Sequence, residues 1–223
     1  DQLGRAGALA FSPRGDFLYI AMPANGAIER YDMLNDAPAG EITNVGADVR
    51  GLAVSEDGRL LYADAQLSRE VVIYDVSSMG ALPTDPIARV RTVTNEPLPP
   101  QLLLGKKLFN DASDPRMSRE GYIACSHCHP DGDEDGIVWD FTDRGEGLRN
   151  TLSLLGRRGT GDGPIHWSGN FDEVQDFEGD IRNAFGGTGL LSAADWAASS
   201  ASMGPAKAGR SADLDAVAAY VTS

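Results

Sequence analysis

The sequence predicts a multidomain β + α chain on three observations: a β-rich segment that repeats at a fixed period, a proline-dense break, and a helical remainder that holds both cysteines. Leu9-Ala10-Phe11-Ser12-Pro13-Arg14-Gly15-Asp16-Phe17-Leu18-Tyr19 aligns with Leu52-Ala53-Val54-Ser55-Glu56-Asp57-Gly58-Arg59-Leu60-Leu61-Tyr62, and Tyr31-Asp32 aligns with Tyr74-Asp75, a period of 43 residues. Each copy has a short β-rich run, a turn containing Gly15 or Gly58, and a second strand at Phe17 to Ala21 or Leu60 to Ala63. A third strand carries the Tyr-Asp pair, at Ile28 to Asp32 and Val71 to Val76. This spacing and turn chemistry fit four-stranded propeller blades.

The wording of the repeat resembles the YVTN-type β-propeller family over roughly residues 5 to 94. The expected fold is thus a partial β-propeller of two blades (1–94), a Pro-rich linker (95–100) and an all-α domain (101–223). Two blades do not close a propeller, which needs at least about four. Further propeller blades are expected on another chain or a removed segment; a small independent β domain is the alternative. Pro97, Pro99 and Pro100 stop regular structure at the linker.

Beyond the linker the pattern is helical. Gln101 to Phe109 follows Pro100, a favourable helix-start residue. Asp213 to Thr222 sets Leu214, Val217, Ala218 and Val221 on one face behind Ser211, an N-cap candidate. A helix from Ala193 to Ser202 is expected after Ser192, and the Gly- and Asp-rich stretch from Asp131 to Gly189 is expected to be mostly loop.

Length and composition set the limits. The chain has 223 residues, room for two ordinary domains. Hydrophobic residues make up 42% and charged residues 23%, and the 26 Gly and 12 Pro imply many turns. No run reaches the roughly 18 apolar residues of a membrane span, and Asp1-Gln2-Leu3-Gly4 lacks the features of a signal peptide. No membrane span is expected, and any signal peptide is expected to have been removed or to lie outside this sequence. A formal net charge of −14 argues against a nucleic-acid partner, which needs a basic surface, and favours basic proteins or neutral small molecules as partners.

Both cysteines fall in Cys125-Ser126-His127-Cys128-His129. In C-x-x-C-H, two thiols one helical turn apart add across the two vinyl groups of a haem, and the following imidazole faces the iron. The motif therefore implies one covalent haem c, held by Cys125 and Cys128 with His129 as proximal ligand, in a periplasmic or extracellular protein, and makes residues 101–223 a c-type cytochrome domain. A thioredoxin-like dithiol would require a βαβ setting, and zinc would require four convergent ligands where only His127 and His166 remain.

Gly105 with Phe109, and Val217 with Tyr220, resemble the paired positions on the crossing terminal helices of class I cytochromes c. The Asn110 to Ala124 spacer is longer than in that class. Leu104-Gly105-Lys106-Lys107-Leu108-Phe109, Arg116-Met117-Ser118-Arg119-Glu120-Gly121, Ile123-Ala124-Cys125, Arg149-Asn150-Thr151 and His166-Trp167-Ser168-Gly169 together resemble the N-terminal haem domain of bacterial di-haem cytochrome c peroxidases. That resemblance covers about residues 103 to 187. It implies a second haem domain on another chain or a removed segment.

The same resemblance sets His166 over the distal face and Trp167 close to the haem. His166 is the first candidate for the distal iron ligand. Met203, on the loop before the last helix, resembles the Met ligand of class I cytochromes and is the second candidate; Met117 stands behind both. Trp139 and Trp167 can pack on haem with an indole N–H toward a propionate. Arg149, Arg157 and Arg158 are candidate propionate partners, with a solvated role as the alternative for each. Asp131-Gly132-Asp133-Glu134-Asp135-Gly136 matches the opening of a Ca2+ loop, yet position twelve is Thr142 rather than Glu. A Ca2+ site at Asp131, Asp133 and Asp135, a docking site for a basic partner and a solvated acidic turn all stay open.

Two functions follow. The first is electron transfer through one six-coordinate haem; the second is a peroxidase-type oxidoreductase with His166 as distal acid or base. A binding module built on the blades is a third.

Overall fold

Each copy of the 43-residue repeat forms a four-stranded antiparallel meander in a computed structural model that describes residues 5–156 and 158–223. The first sheet runs β1 (Ala8–Phe11), β2 (Phe17–Met22), β3 (Ala27–Asp32) and β4 (Ala37–Ile42), and the second runs β5 (Val49–Val54), β6 (Leu60–Ala65), β7 (Glu70–Asp75) and β8 (Ala88–Arg91). This is the blade unit of β-propellers. The repeated turn explains why the copies match. Ser12 Oγ accepts the Phe17 amide at 3.0 Å, and Ser55 Oγ accepts the Leu60 amide at 2.9 Å. Gly15 and Gly58 supply the left-handed backbone at φ 72° and 74°.

Strand register sorts each sheet into two faces. In the first, Tyr19, Ala21, Ile28 and Arg30 share a face and are buried, while Leu9, Phe11, Leu18, Ile20, Glu29 and Tyr31 occupy the other. In the second, the buried face is the opposite one, with Leu61, Ala63, Val72 and Tyr74 buried and Leu52 and Val54 packed on the same core. One core therefore lies between the two sheets, with β1 and β2 against β5. Arg30 is buried there, its guanidinium 4.6 Å from the Phe17 ring centroid, donating to Ala39 O at 3.0 Å, Ser78 O at 3.2 Å and Gly80 O.

The chain divides into two units, Asp1–Pro97 and Leu98–Ser223, with the break inside the proline-rich stretch. The second unit holds α1 (Pro100–Phe109), α2 (Cys125–Cys128), α3 (Glu178–Asn183), α4 (Ala193–Ser199) and α5 (Ala212–Thr222). Ser192 Oγ caps α4 by accepting Asp195 N at 3.1 Å, and Ser211 Oγ caps α5 by accepting Leu214 N at 3.3 Å. At the meeting of α1 and α5, a Cβ on Gly105 would overlap the Ala216 carbonyl and lie 2.9 Å from Tyr220 Cβ. Phe109 packs edge-on against Tyr220, centroids 5.2 Å apart.

This unit is not all-α. A hairpin of β9 (Val138–Phe141) and β10 (Gly147–Asn150) pairs in register Trp139 with Arg149 and Phe141 with Gly147. The alternation Val-Trp-Asp-Phe has strand period, and Gly145, at φ 79°, makes the turn that lets it pair. Likewise α3 lies inside the stretch expected to be loop. Among the described residues no helix is long and apolar enough to cross a membrane.

Candidate functional site

The pair of cysteines sits on one turn because α2 is a single turn. His129 N donates to Cys125 O at 2.9 Å, and the Ala124 amide donates to His127 Nδ1 at 2.9 Å. His127 is half-buried and caps the turn. Both thiols are free of disulfide. Burial pushes the Cys125 thiol up to about 12 and the Cys128 thiol up to about 11, the latter aided by the Asp135 charge. Neither is a thiolate at neutral pH. A reactive dithiol shows the opposite shift.

Cys125, Cys128 and His129 all line a cavity of about 320 Å³ within the second unit, a size within the ordinary range for small-ligand sites. Its walls are mostly apolar. Phe109 comes from α1, Trp139 and Phe141 from β9, Leu152 and Leu154 from the segment after β10, and Leu214, Val217 and Val221 from α5. Trp167, Phe177 and Ile181 are among the others. Burial lowers the affinity of the His129 imidazole for a proton, opposed by backbone at Asp133 and Leu152 and by Asp135. Its Nδ1 is buried and makes no hydrogen bond among the described residues.

His166 reaches the same cavity. Its segment is a small antiparallel loop in which Ile165 N donates to Phe171 O at 2.8 Å and Phe171 N returns to Ile165 O at 3.3 Å. That loop holds His166 at φ 68°, a backbone region uncommon outside glycine. The ring stacks on Phe171 with centroids 4.5 Å apart and meets Phe177 edge-on at 5.9 Å. Nδ1 lies 2.9 Å from Asn170 Oδ1 and 3.4 Å from Glu146 Oε1, and Nε2 lies 3.7 Å from Asp180 Oδ2. Glu146 and Asp180 are the two acidic residues of the cavity wall, and sequence reasoning missed both. No local motif marks them, because one precedes β10 and the other lies on α3.

Other expected residues fall elsewhere. Met203 is 54% exposed and does not line the cavity, and Met117 is buried in the helical core away from the wall. Met203 sits on an exposed loop with a left-handed backbone, so its thioether stays at the surface. Trp139 lines the cavity but its indole N–H is already donated to Asp135 Oδ2 at 2.9 Å. Arg149 lies outside the wall with its guanidinium 5.9 Å from the Trp167 ring centroid, a cation–π distance, and donates to Leu148 O at 2.9 Å. Arg158 is exposed, and Arg157 lies outside the described residues.

The acidic run bonds to its own backbone and to neighbouring segments. Asp133 Oδ1 accepts the Glu134 amide at 2.9 Å, and Asp135 accepts from Ile137 N, Trp139 Nε1 and the Thr151 hydroxyl. Among the described residues no three His, Cys, Asp or Glu side chains gather as a metal-holding group, so the structure does not bring Asp131, Asp133 and Asp135 together as one.

No family model and no curated protein sequence matches the chain. Solved structures similar to part of it include a hydrazine synthase of Kuenenia stuttgartiensis, at 22% identity and TM-score 0.36 over 41% of this chain and 24% of that one. U3-55K is similar at 16% identity and TM-score 0.36, and the WD40 repeats of RRP9 at 17% and 0.36, each over 43% of this chain and 28% of the other. The chain thus spans about a quarter of the length of each.

Proposed function

We propose that this chain is a c-type haem redox protein that transfers single electrons outside the cytoplasm. The observation that carries the reading is that Cys125, Cys128 and His129, set on one helical turn and the residue after it, all face a single apolar cavity. Two neutral, unpaired thiols suit thioether formation, in which each S–H adds across a vinyl C=C with no leaving group. The alternatives for C-x-x-C lose ground on the same residues: the thiols are shifted away from thiolate, and among the described residues no group of three His, Cys, Asp or Glu side chains gathers as zinc would need.

The residues fit the group. Cys125 and Cys128 would hold it, His129 would bind its iron, and Phe109, Trp139, Phe141 and Trp167 would exclude water from its faces. When bound, haem supplies one-electron chemistry at a potential set by its ligands and surroundings. His166 remains the distal residue, and the exposed acidic residues Asp131, Asp133 and Glu134 favour a basic redox protein as partner.

A second reading, a peroxidase-type oxidoreductase, draws on Glu146 and Asp180. Flanked by two carboxylates and Asn170, His166 is held in the geometry of an acid–base group as readily as in that of a ligand. One experiment addresses both readings. The chain is exported in a host with haem-attachment machinery, and its denatured mass and oxidised spectrum are recorded. A mass increased by one haem, with a low-spin spectrum unmoved by cyanide or peroxide, is the expected outcome. A high-spin spectrum that moves with either supports the peroxidase, and a bare polypeptide without a Soret band overturns both.

A further inference from the structure

The segment Val174–Asn183 turns a row of side chains to the cavity and keeps two buried carboxylates off it. Val174, Phe177, Asp180 and Ile181 line the wall, at helical spacing. Asp176 and Glu178 do not, yet they are only 2% and 0% exposed. Carboxylates so deep need partners, and each finds them on a later stretch of the second unit. Asp176 Oδ1 accepts from Lys207 Nζ at 2.5 Å, and the lysine is itself buried. Glu178 accepts from Arg182 Nε at 2.7 Å, Leu190 N at 2.9 Å and Leu191 N at 3.0 Å. Arg182 Nη2 in turn donates to Leu191 O at 2.6 Å, and its guanidinium lies 5.0 Å from the Trp196 ring centroid. Gly189, at φ 84°, completes this brace, since a Cβ there would collide with both Glu178 and Arg182.

Stability alone does not account for the brace, because a buried ion pair often adds none over apolar side chains of like volume. What it fixes is position. With six residues, α3 is too short to hold a place by itself. Asp180, two residues from Glu178, lies 3.7 Å from His166 Nε2, and Phe177, the residue before Glu178, meets the His166 ring edge-on at 5.9 Å. We infer that Glu178, with Arg182, is a positioning residue for the distal side of the cavity: by tying α3 to Leu190 and Leu191, it sets Asp180 and Phe177 against His166. The inference rests on the haem reading for what the cavity holds and on these contacts for the rest. In Glu178→Gln the side-chain amide brings an N–H₂ to a point where three donors converge. The brace opens, while Asp176 and Lys207 still fasten the segment.

Nuclear magnetic resonance of the full chain at one pH, read at the His166 ring, tests it. In the parent, the ring gives nuclear Overhauser contacts to both Phe171 and Phe177. In Glu178→Gln the ring signal should move and the contact to Phe177 should weaken, while that to Phe171, which shares the loop of His166, persists. Arg182→Lys leaves Glu178 a charged donor and should give the same change to a smaller extent. Ser211→Ala removes the α5 cap and lowers stability at another place, so it should leave both contacts intact. With haem attached, the oxidised absorption spectrum should shift in the first two variants and not in the third. Should Glu178→Gln fail to fold, Arg182→Lys decides by the same signals. A His166 ring that stays in place in the brace variants, whatever happens to their melting temperature, overturns the inference. A chain without a Soret band ends the haem reading instead, and the magnetic resonance result then stands by itself.

Discussion

At Asp135 the carboxylate ties Ile137 N at 3.0 Å, Trp139 Nε1 at 2.9 Å and the Thr151 hydroxyl into one knot, and two of those three residues line the cavity. The acidic run that reads as a calcium loop thus has a structural use for its third aspartate: it fastens β9 over the pocket. An Asn at this position can still accept from Ile137 N, but its amide N–H₂ would face the indole N–H, donor against donor. Hydrogen bonds to a charged acceptor contribute about 1.5–3 kcal/mol, less where water competes. Asp135→Asn should therefore cost about 1 kcal/mol locally and speed amide exchange in β9 and β10 about fivefold. Asp133→Asn should leave it unchanged, and equal rates in all three proteins would refute the knot. The cysteines and His129 were legible in the sequence because their chemistry is contiguous. Glu146 and Asp180 were not, since what brings them to His166 is the folding of separate segments around a cavity.

Among the elements, the α1–α5 pair was legible through the resemblance of Gly105 with Phe109, and Val217 with Tyr220, to the crossing terminal helices of class I cytochromes c, since a glycine at a crossing lets two backbones approach closely. The hairpin β9–β10 was hidden by composition. Its strands are four residues each, and the surrounding Gly and Asp outweigh their alternation. The fourth strand of each blade, β4 or β8, was weak for a related reason: β4 carries Pro38 and Gly40, and β8 is exposed along its whole length. Gly105→Ala tests the helix pair directly. The methyl group must displace the Ala216 carbonyl or part the helices, and overpacking of this kind costs about 1–3 kcal/mol. The expected outcome is a loss of that size in chemical denaturation of the second unit. A change under about 0.5 kcal/mol, the ordinary surface value, would mean that the helices do not approach as closely as described.

On the scale of the whole molecule, the chain carries two cores that share no residue, one between the blades and one among the helices, and each belongs to its own unit. Units with separate cores unfold separately unless a large interface couples them. A group that binds only the native form raises stability only where it binds. Two thermal transitions are therefore expected, one read by far-ultraviolet circular dichroism of the strands and one by the fluorescence of Trp139, Trp167 and Trp196, which all lie in the second unit. In Cys125→Ala/Cys128→Ala the second should fall, by about 4–8 °C for each kcal/mol lost, while the first holds its place. A single transition that shifts as a whole in the cysteine variant would show that the blades and the helical unit fold as one cooperative body.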